Sequence, residues 1–244
     1  MQLPEHLAII MDGNGHWAQS RGHSRVYGHV RGASVAKDVI EECCRVGLKN
    51  LTLFAFSTEN WLRPFEEITL LMRLLERQLR RETRNLIKNN IRFRCIGDLN
   101  RLPQNVRTEV NRTADATASC TGMNLVFALS YGGRQELRNA FIRISQQIKD
   151  GILTPEDIDD KLIGQFLESA FLPAPDLILR TSGEYRLSNF FLWQAAYSEI
   201  IVRDKMWPDF NLDDLQKVFL EYASRTRRFG RTSAQAKKYE ATHR

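Results

Sequence analysis

Six short apolar runs, at residues 7–11 (LAIIM), 51–56, 91–97, 123–129, 176–181 and 199–202, punctuate this chain. Helix-length amphipathic segments at 30–46, 66–89, 103–118, 133–149, 155–169 and 211–228 separate them. Several runs lack strict polar/apolar alternation, as expected of strands covered on both faces. Strands taking turns with helices predict an α/β fold: one mainly parallel sheet of six strands wrapped by helices. With 244 residues and no sharp change of composition, the chain reads as one domain over 1–230. The polar, basic tail 231–244 is expected to be disordered.

Local signals agree. Pro64 suits the start of the helix at 66–89, and Thr154 with Pro155 reads as an N-cap and first helical position. Residues 190–193 (FFLW) are expected to begin a short buried helix. In the helix at 66–89, Ile68, Leu71, Met72, Leu75, Leu79 and Leu86 form an apolar stripe, with five arginines mostly off it. Such a stripe packs on a sheet or lines a cleft, and periodicity alone does not distinguish the two.

Charge and cysteines narrow the classes. The net charge of +6 fits either a solvated basic surface or a site for phosphates. Nucleic acid is not the expected partner, because the basic residues gather at separate strand ends rather than along one helix. Cys43, Cys44, Cys95 and Cys120 lack metal-ligand spacing and read as free thiols of a reducing compartment. The first residues show no secretory signal pattern, and no run reaches the about 18 apolar residues of a membrane span. A cytoplasmic location follows as the expectation, with peripheral membrane contact allowed.

The polar residues that follow the strands carry the chemistry. Asp12 closes the first run, and Gly13, Asn14, Gly15, His16, Trp17, Arg21, Arg25, His29 and Arg31 come next. In parallel sheets ligands bind beyond the carboxyl ends of strands, where glycines admit an anion to the backbone. An aspartate there can hold Mg²⁺ that phosphate also ligates, or it can simply cap a turn. The second strand ends in Ser57, Thr58, Glu59, Asn60 and Arg63, the fourth in Gly132, Gly133 and Arg134. The fifth leads to Arg180, Arg186 and Ser188; arginines six positions apart around a small-residue turn suit a diphosphate clamp, unless one pairs with Glu184. Glu199 opens the last strand as a second acid for a metal, provided the fold closes the 187 positions between it and Asp12. Together these residues predict a Mg²⁺-assisted site for phosphorylated small molecules.

The segments IIMDGNGHWA, YGHVRGA, FAFSTENWLRP, SYGGRQEL, RTSGEYRLSNFFLWQAAYSE, WPDF and RTRRFG also resemble, together, the cis-prenyltransferases, in particular bacterial undecaprenyl diphosphate synthases. The likeness runs from about residue 5 to residue 230. It implies a homodimeric, Mg²⁺-dependent enzyme that condenses isopentenyl diphosphate onto an allylic diphosphate, usually farnesyl diphosphate, with cis double bonds. Asp12 matches the essential aspartate and would position Mg²⁺; Asn60, with Ser57 and Arg63, would support condensation. Arg25 and His29 match residues around the allylic diphosphate, in a set that also takes Gly13, Asn14, Gly15, His16, Trp17, Arg21 and Glu59. Arg180, Arg186 and Ser188 match the isopentenyl diphosphate pocket, Glu199 a metal-associated acid, and RTRRFG a segment reaching the neighbouring subunit's site. A hydrophobic tunnel is expected along Ala55, Leu75, Ile91 and Met123, permitting a product of about C50–C55. His16 stands where the family usually has arginine, which implies a raised or pH-dependent KM for the allylic substrate, and Tyr185 where bacterial members often have histidine. A short-chain or branching synthase on the same scaffold is the alternative. A non-catalytic partner subunit is a remoter one, since such subunits lose the aspartate and clamp residues kept here.

Overall fold

The computed structural model describes residues 2–225. The tail 231–244 and all but Arg225 of the RTRRFG segment lie outside the described residues. Among those described, six strands form one all-parallel sheet: β1 (His6–Ile10), β2 (Asn50–Ser57), β3 (Arg92–Ile96), β4 (Asn124–Tyr131), β5 (Leu177–Arg180) and β6 (Glu199–Val202). Their order is β3-β4-β2-β1-β5-β6. Seven α-helices accompany them: α1 (Asn14–Gln19), α2 (Arg25–Arg45), α3 (Phe65–Lys88), α4 (Gln104–Ala116), α5 (Gly133–Lys149), α6 (Asp160–Gln165) and α7 (Leu212–Ser224).

The continuous apolar runs resolve into two faces. Leu7 and Ile9 of β1 join a core built from the sheet, α2, α3, α4 and α7, whereas Ala8 and Ile10 join a smaller core containing Phe190 and Phe191. Strand side chains alternate by two, so a strand covered on both faces must be apolar throughout. The alternation breaks at the carboxyl ends of β2 and β4. A register shift brings both Ala55 and Phe56 to the first face, and Ser130, at φ 51°, returns Tyr131 to the second. Such irregularities re-aim the chain where a strand ends.

Three local expectations are corrected. The stretch 14–19 is helical, although its glycines read as a loop; α1 packs on α2 instead of standing on its own propensity. The segment 155–169 is not one helix: a 3₁₀ turn at Pro155–Asp157 and α6 each have their own cap, at Thr154 and Asp159. Residues 190–193 do not start a helix, because Ser188, Asn189 and Phe191 take positive φ (51°, 64° and 46°); the only helical turn there is 3₁₀, at Gln194–Tyr197. Phe190 and Phe191 are nevertheless fully buried, as expected.

All four cysteines are free, Cys43 and Cys120 buried. No helix among the described residues is long and apolar enough to cross a membrane.

Candidate active site

The register of β1 and β5 sets Ile10 opposite Arg180, so the loop after β1 meets the last residue of β5. Asp12 Oδ2 accepts from Arg180 Nη2 at 2.6 Å, across 168 positions of sequence. Arg180 Nη1 donates to Ser188 Oγ at 2.8 Å and to the Arg186 carbonyl. This guanidinium is 4% exposed, and its Nε has no partner among the described residues. A buried cation of that kind is costly unless its remaining donor finds an anion.

The Asp12 loop is held from several sides. Its backbone N–H donates to Thr181 Oγ1 (2.9 Å), while its carbonyl accepts from the Thr181 hydroxyl (2.8 Å) and the Trp207 N–H (3.0 Å). Gly13 follows at φ 99° and donates to Asp12 Oδ1 at 2.7 Å. A Cβ there would lie 2.9 Å from the Met206 Cβ, so both backbone angle and space demand glycine. Trp207 also donates its indole N–H to the Gly32 carbonyl at 2.9 Å, which ties the WPDF segment to α2.

Beside Asp12 opens a cavity of about 890 Å³ between the sheet and helices α2 and α3. Its polar end is walled by Asp12, Asn14, His29, Ser57, Glu59, Asn60, Arg63, Arg180 and Ser188. Its other walls are largely apolar, with Leu53 and Ala55 of β2, Leu71, Leu75 and Leu79 of α3, and Ile91, Phe93, Leu125 and Phe127 further along. The α3 stripe therefore both packs and lines a cavity.

Charge at the polar end is concentrated and partly compensated. Glu67 accepts from Arg63 at 3.2 Å and faces Arg25 at 3.3 Å, with only 10% of its side chain exposed. Burial draws the Arg63 guanidinium below its ordinary range, with Glu67 opposing and Arg25 assisting. Burial, reinforced by Arg63, lowers the His29 imidazole to about 4, so it is neutral near pH 7. His29 Nε2 and Asn14 Oδ1, both on residues of the cavity wall, are buried without hydrogen-bond partners among the described residues. Two such polar atoms beside a strand exit suit a polar ligand that completes their hydrogen bonds.

Asn60 sits in a reciprocal cap, its Oδ1 accepting from the Ser57 N–H at 3.1 Å. Asn189 ties its own loop to two segments: its carbonyl accepts from the Gly133 N–H (2.7 Å), Oδ1 from the Arg134 N–H (2.9 Å), and Nδ2 donates to Glu59 (2.9 Å) and Gln135 (3.1 Å).

The fold gathers some expected residues and leaves others out. Gly13, Gly15 and Trp17 are buried in the Asp12 loop and α1, and Arg25 lies against Gly15, where a Cβ would come within 2.6 Å of its guanidinium carbon. His16 is exposed and does not line the cavity. Arg21 turns to Asp209 (3.0 Å) and the Trp17 ring (4.5 Å). Arg186 presents its carbonyl to Arg180 but sends its guanidinium to Glu184 at 2.5 Å. Met123 is a core residue, off the cavity wall.

Glu199 requires correction as an intrachain partner of Asp12. It pairs with Leu177, which is level with Leu7 on β1, so it stands at the amino end of a parallel sheet. The five residues from Leu7 to Asp12 span about 16 Å at ~3.3 Å per residue. Its carboxylate accepts from Arg225 at 2.8 Å instead. Glu67, Asn189, Thr181 and Trp207 were given no site role from the sequence; the last three lie inside the quoted motifs, and Glu67 left a signal four positions after Arg63.

Asp12 and Glu59 are thus the acids on the cavity wall at this end, and no cluster of three or more His, Cys, Asp or Glu able to hold a cation exists among the described residues. That donor set fits Mg²⁺, which binds through one or two carboxylates and completes its shell with phosphate and water. It does not fit a closed all-protein metal cage.

Comparison with known proteins agrees with this geometry. The undecaprenyl diphosphate synthase family model matches residues 10–230. An isoprenyl transferase of Chlorobaculum tepidum is 48% identical over 98% of this chain and 90% of its own length. A ditrans,polycis-undecaprenyl-diphosphate synthase of Vibrio parahaemolyticus, specific for (2E,6E)-farnesyl diphosphate, is 43% identical over 96% and 94%. The crystal structure of lavandulyl diphosphate synthase from Lavandula x intermedia, in complex with dimethylallyl diphosphate, superimposes with a TM-score of 0.92 at 38% identity, covering 93% of this chain and 98% of that one. With a parallel sheet, an Asp12–Arg180 contact at its carboxyl edge and these relatives along nearly its whole length, the chain belongs to the undecaprenyl diphosphate synthase family of prenyltransferases.

Proposed function

We propose that this prenyltransferase condenses isopentenyl diphosphate with an allylic diphosphate, farnesyl diphosphate in the first instance, and extends it to a medium or long Z-polyprenyl diphosphate. The observation that carries the reading is the continuity of one cavity from Asp12 and Arg180 to an apolar wall at Leu75, Leu79 and Ile91. A site for small polar phosphates alone has no use for such a wall.

The allylic diphosphate sits against Asn14, His29, Arg25 and Arg63, and the isopentenyl diphosphate against Arg180 and Ser188. Asp12 would hold Mg²⁺, which would supply Lewis-acid stabilisation of the departing diphosphate. Arg63 stabilises the same developing charge from a partly buried position, with the more exposed Arg25 behind it. His29, neutral, donates or accepts one hydrogen bond without adding a charge. Asn60 and Ser57 present the polar edge of β2 to the reacting carbons, and the apolar wall keeps water from the allylic cation. Each further methylene buried in the cavity adds roughly 0.8 kcal/mol of hold on the growing chain.

The enzyme acts as a homodimer in this reading, and its product is delivered to lipid. The likeness to lavandulyl diphosphate synthase favours, as a second reading, a short or branched product. Purified protein incubated with farnesyl diphosphate, labelled isopentenyl diphosphate and Mg²⁺ decides between them by product length. We expect chains near C50–C55, abolished by chelation; no elongation of farnesyl diphosphate, with turnover of dimethylallyl diphosphate, selects the second reading.

A further inference from the structure

Arg73, Arg77, Arg81, Arg84 and Lys88 follow one another along α3 at intervals of four, four, three and four. At roughly 100° per residue this spacing holds all five within about 80° of the helix circumference. The stripe is exposed and opposite the buried Ile68, Met72, Leu79 and Leu86. Leu70, 42% exposed, belongs to it, and Glu66 is its one acid. Arg73, Arg77, Arg84 and Lys88 have no acidic partner among the described residues, and Arg81 pairs with Glu82 at 3.3 Å. The other acids of the helix look sideways: Glu67 takes Arg63 and Arg25, Glu76 takes Arg80, and Glu82 takes Lys37 of α2 at 3.0 Å.

Position makes the stripe more than a solvated face. Arg77 and Arg81 also line the cavity, on the flank where α3 faces Val30, Ser34 and Lys37 of α2. The basic row therefore runs along the lip of the apolar space. We propose that this face of α3 is a docking surface for an anionic lipid bilayer, which turns the α2–α3 flank of the cavity toward the membrane so that product leaves sideways into it. The proposal rests on the prenyl reading above.

Guanidinium groups match headgroup phosphates, and each basic residue near an anionic surface strengthens attachment roughly fivefold at physiological salt. Nucleic-acid phosphate would satisfy the same charges. It supplies no apolar phase for a prenyl chain, and so leaves the placement beside the cavity unexplained.

The test is sedimentation of the full-length chain with phosphatidylcholine vesicles, with and without phosphatidylglycerol, at low and high salt. The comparison is the triple variant Arg73→Glu, Arg84→Glu, Lys88→Glu, whose positions do not line the cavity. We expect the native chain to bind only the anionic vesicles, salt-sensitively, and the variant to bind on the order of a hundredfold more weakly. In detergent, kcat/KM on soluble substrates stays within about twofold and thermal unfolding coincides. Equal binding by the two chains, indifference of the native chain to phosphatidylglycerol, or tighter binding of an oligonucleotide than of vesicles at the same salt overturns the proposal. A chain that docks through the stripe but forms no prenyl product keeps the docking surface and loses the reaction; an active enzyme that ignores vesicles does the reverse.

Discussion

Near each end of the sheet lies one histidine, His6 fully buried and His29 half-buried with its Nε2 enclosed. Burial lowers both imidazoles to about 4. At the amino end, His6 is closed off: one ring nitrogen meets the Pro173 carbonyl at 2.7 Å and the other Thr52 Oγ1 at 2.8 Å. Asp176 nearby accepts the Glu5 and His6 N–H groups (2.7 and 3.0 Å), and Asn124 donates to Asn50 at 2.9 Å. At the carboxyl end, His29 Nε2, Asn14 Oδ1 and Arg180 Nε are left over. Two similarly lowered imidazoles thus accompany opposite roles. What separates a structural polar group from a binding one is whether the protein itself completes its hydrogen bonds.

The largest expected contrast is between two aspartates. Asp12→Asn should lower kcat/KM on the order of 10³-fold, through lost charge toward the proposed Mg²⁺ and Arg180, and should also cost stability, because the buried Arg180 loses its counter-charge. Asp176→Ala should leave kcat/KM nearly unchanged while costing about 1–3 kcal/mol of unfolding free energy by orphaning two N–H groups. Steady-state kinetics and denaturant titration on both variants check this, and a comparable loss of activity in both would erase the division.

Acid stability comes next. The unfolded imidazoles bind protons below about 6.5, the folded ones only near 4, so stability rises with pH across that window. It is fully present above about 6.5 and is lost toward pH 4, by about 3 kcal/mol for each group. His6→Gln and His29→Gln should each flatten the slope measured by denaturant titration over this range. Only the second should raise the allylic KM, by about two- to tenfold. A matching rise for His6→Gln would show that the two ends are coupled.

Ser188→Ala removes the hydroxyl that accepts from Arg180, and we expect about a two- to tenfold higher KM for isopentenyl diphosphate. The smallest change is assigned to His16→Arg. An exposed side chain off the cavity wall should alter the allylic KM by no more than about threefold, well short of the ten- to hundredfold implied for a direct charged contact. A tenfold gain would mean that α1 closes onto the substrate.

Elements with local causes were legible along the chain. The helix expected at 133–149 is α5 to the residue, and Thr154 caps as its hydroxyl chemistry and Pro155 require. Strand limits differ by no more than two residues. Two of the failures share one origin. Helix α1 forms because Trp17 and Ala18 bury beside α2, and the positive φ values at Ser188, Asn189 and Phe191 accompany the reach of Asn189 to Gly133, Arg134 and Glu59 at once. No window of neighbouring residues carries such demands.

By itself the amino-acid sequence determined the α/β alternation, the polar strand ends and the family motifs, because side-chain period and turn chemistry act over a few residues. Tertiary structure alone decided which of those polar groups meet. It put Asp12 on Arg180, Arg186 on Glu184 and Glu199 at the far end with Arg225. Strand order and register set those distances, and both come from packing between residues remote in sequence.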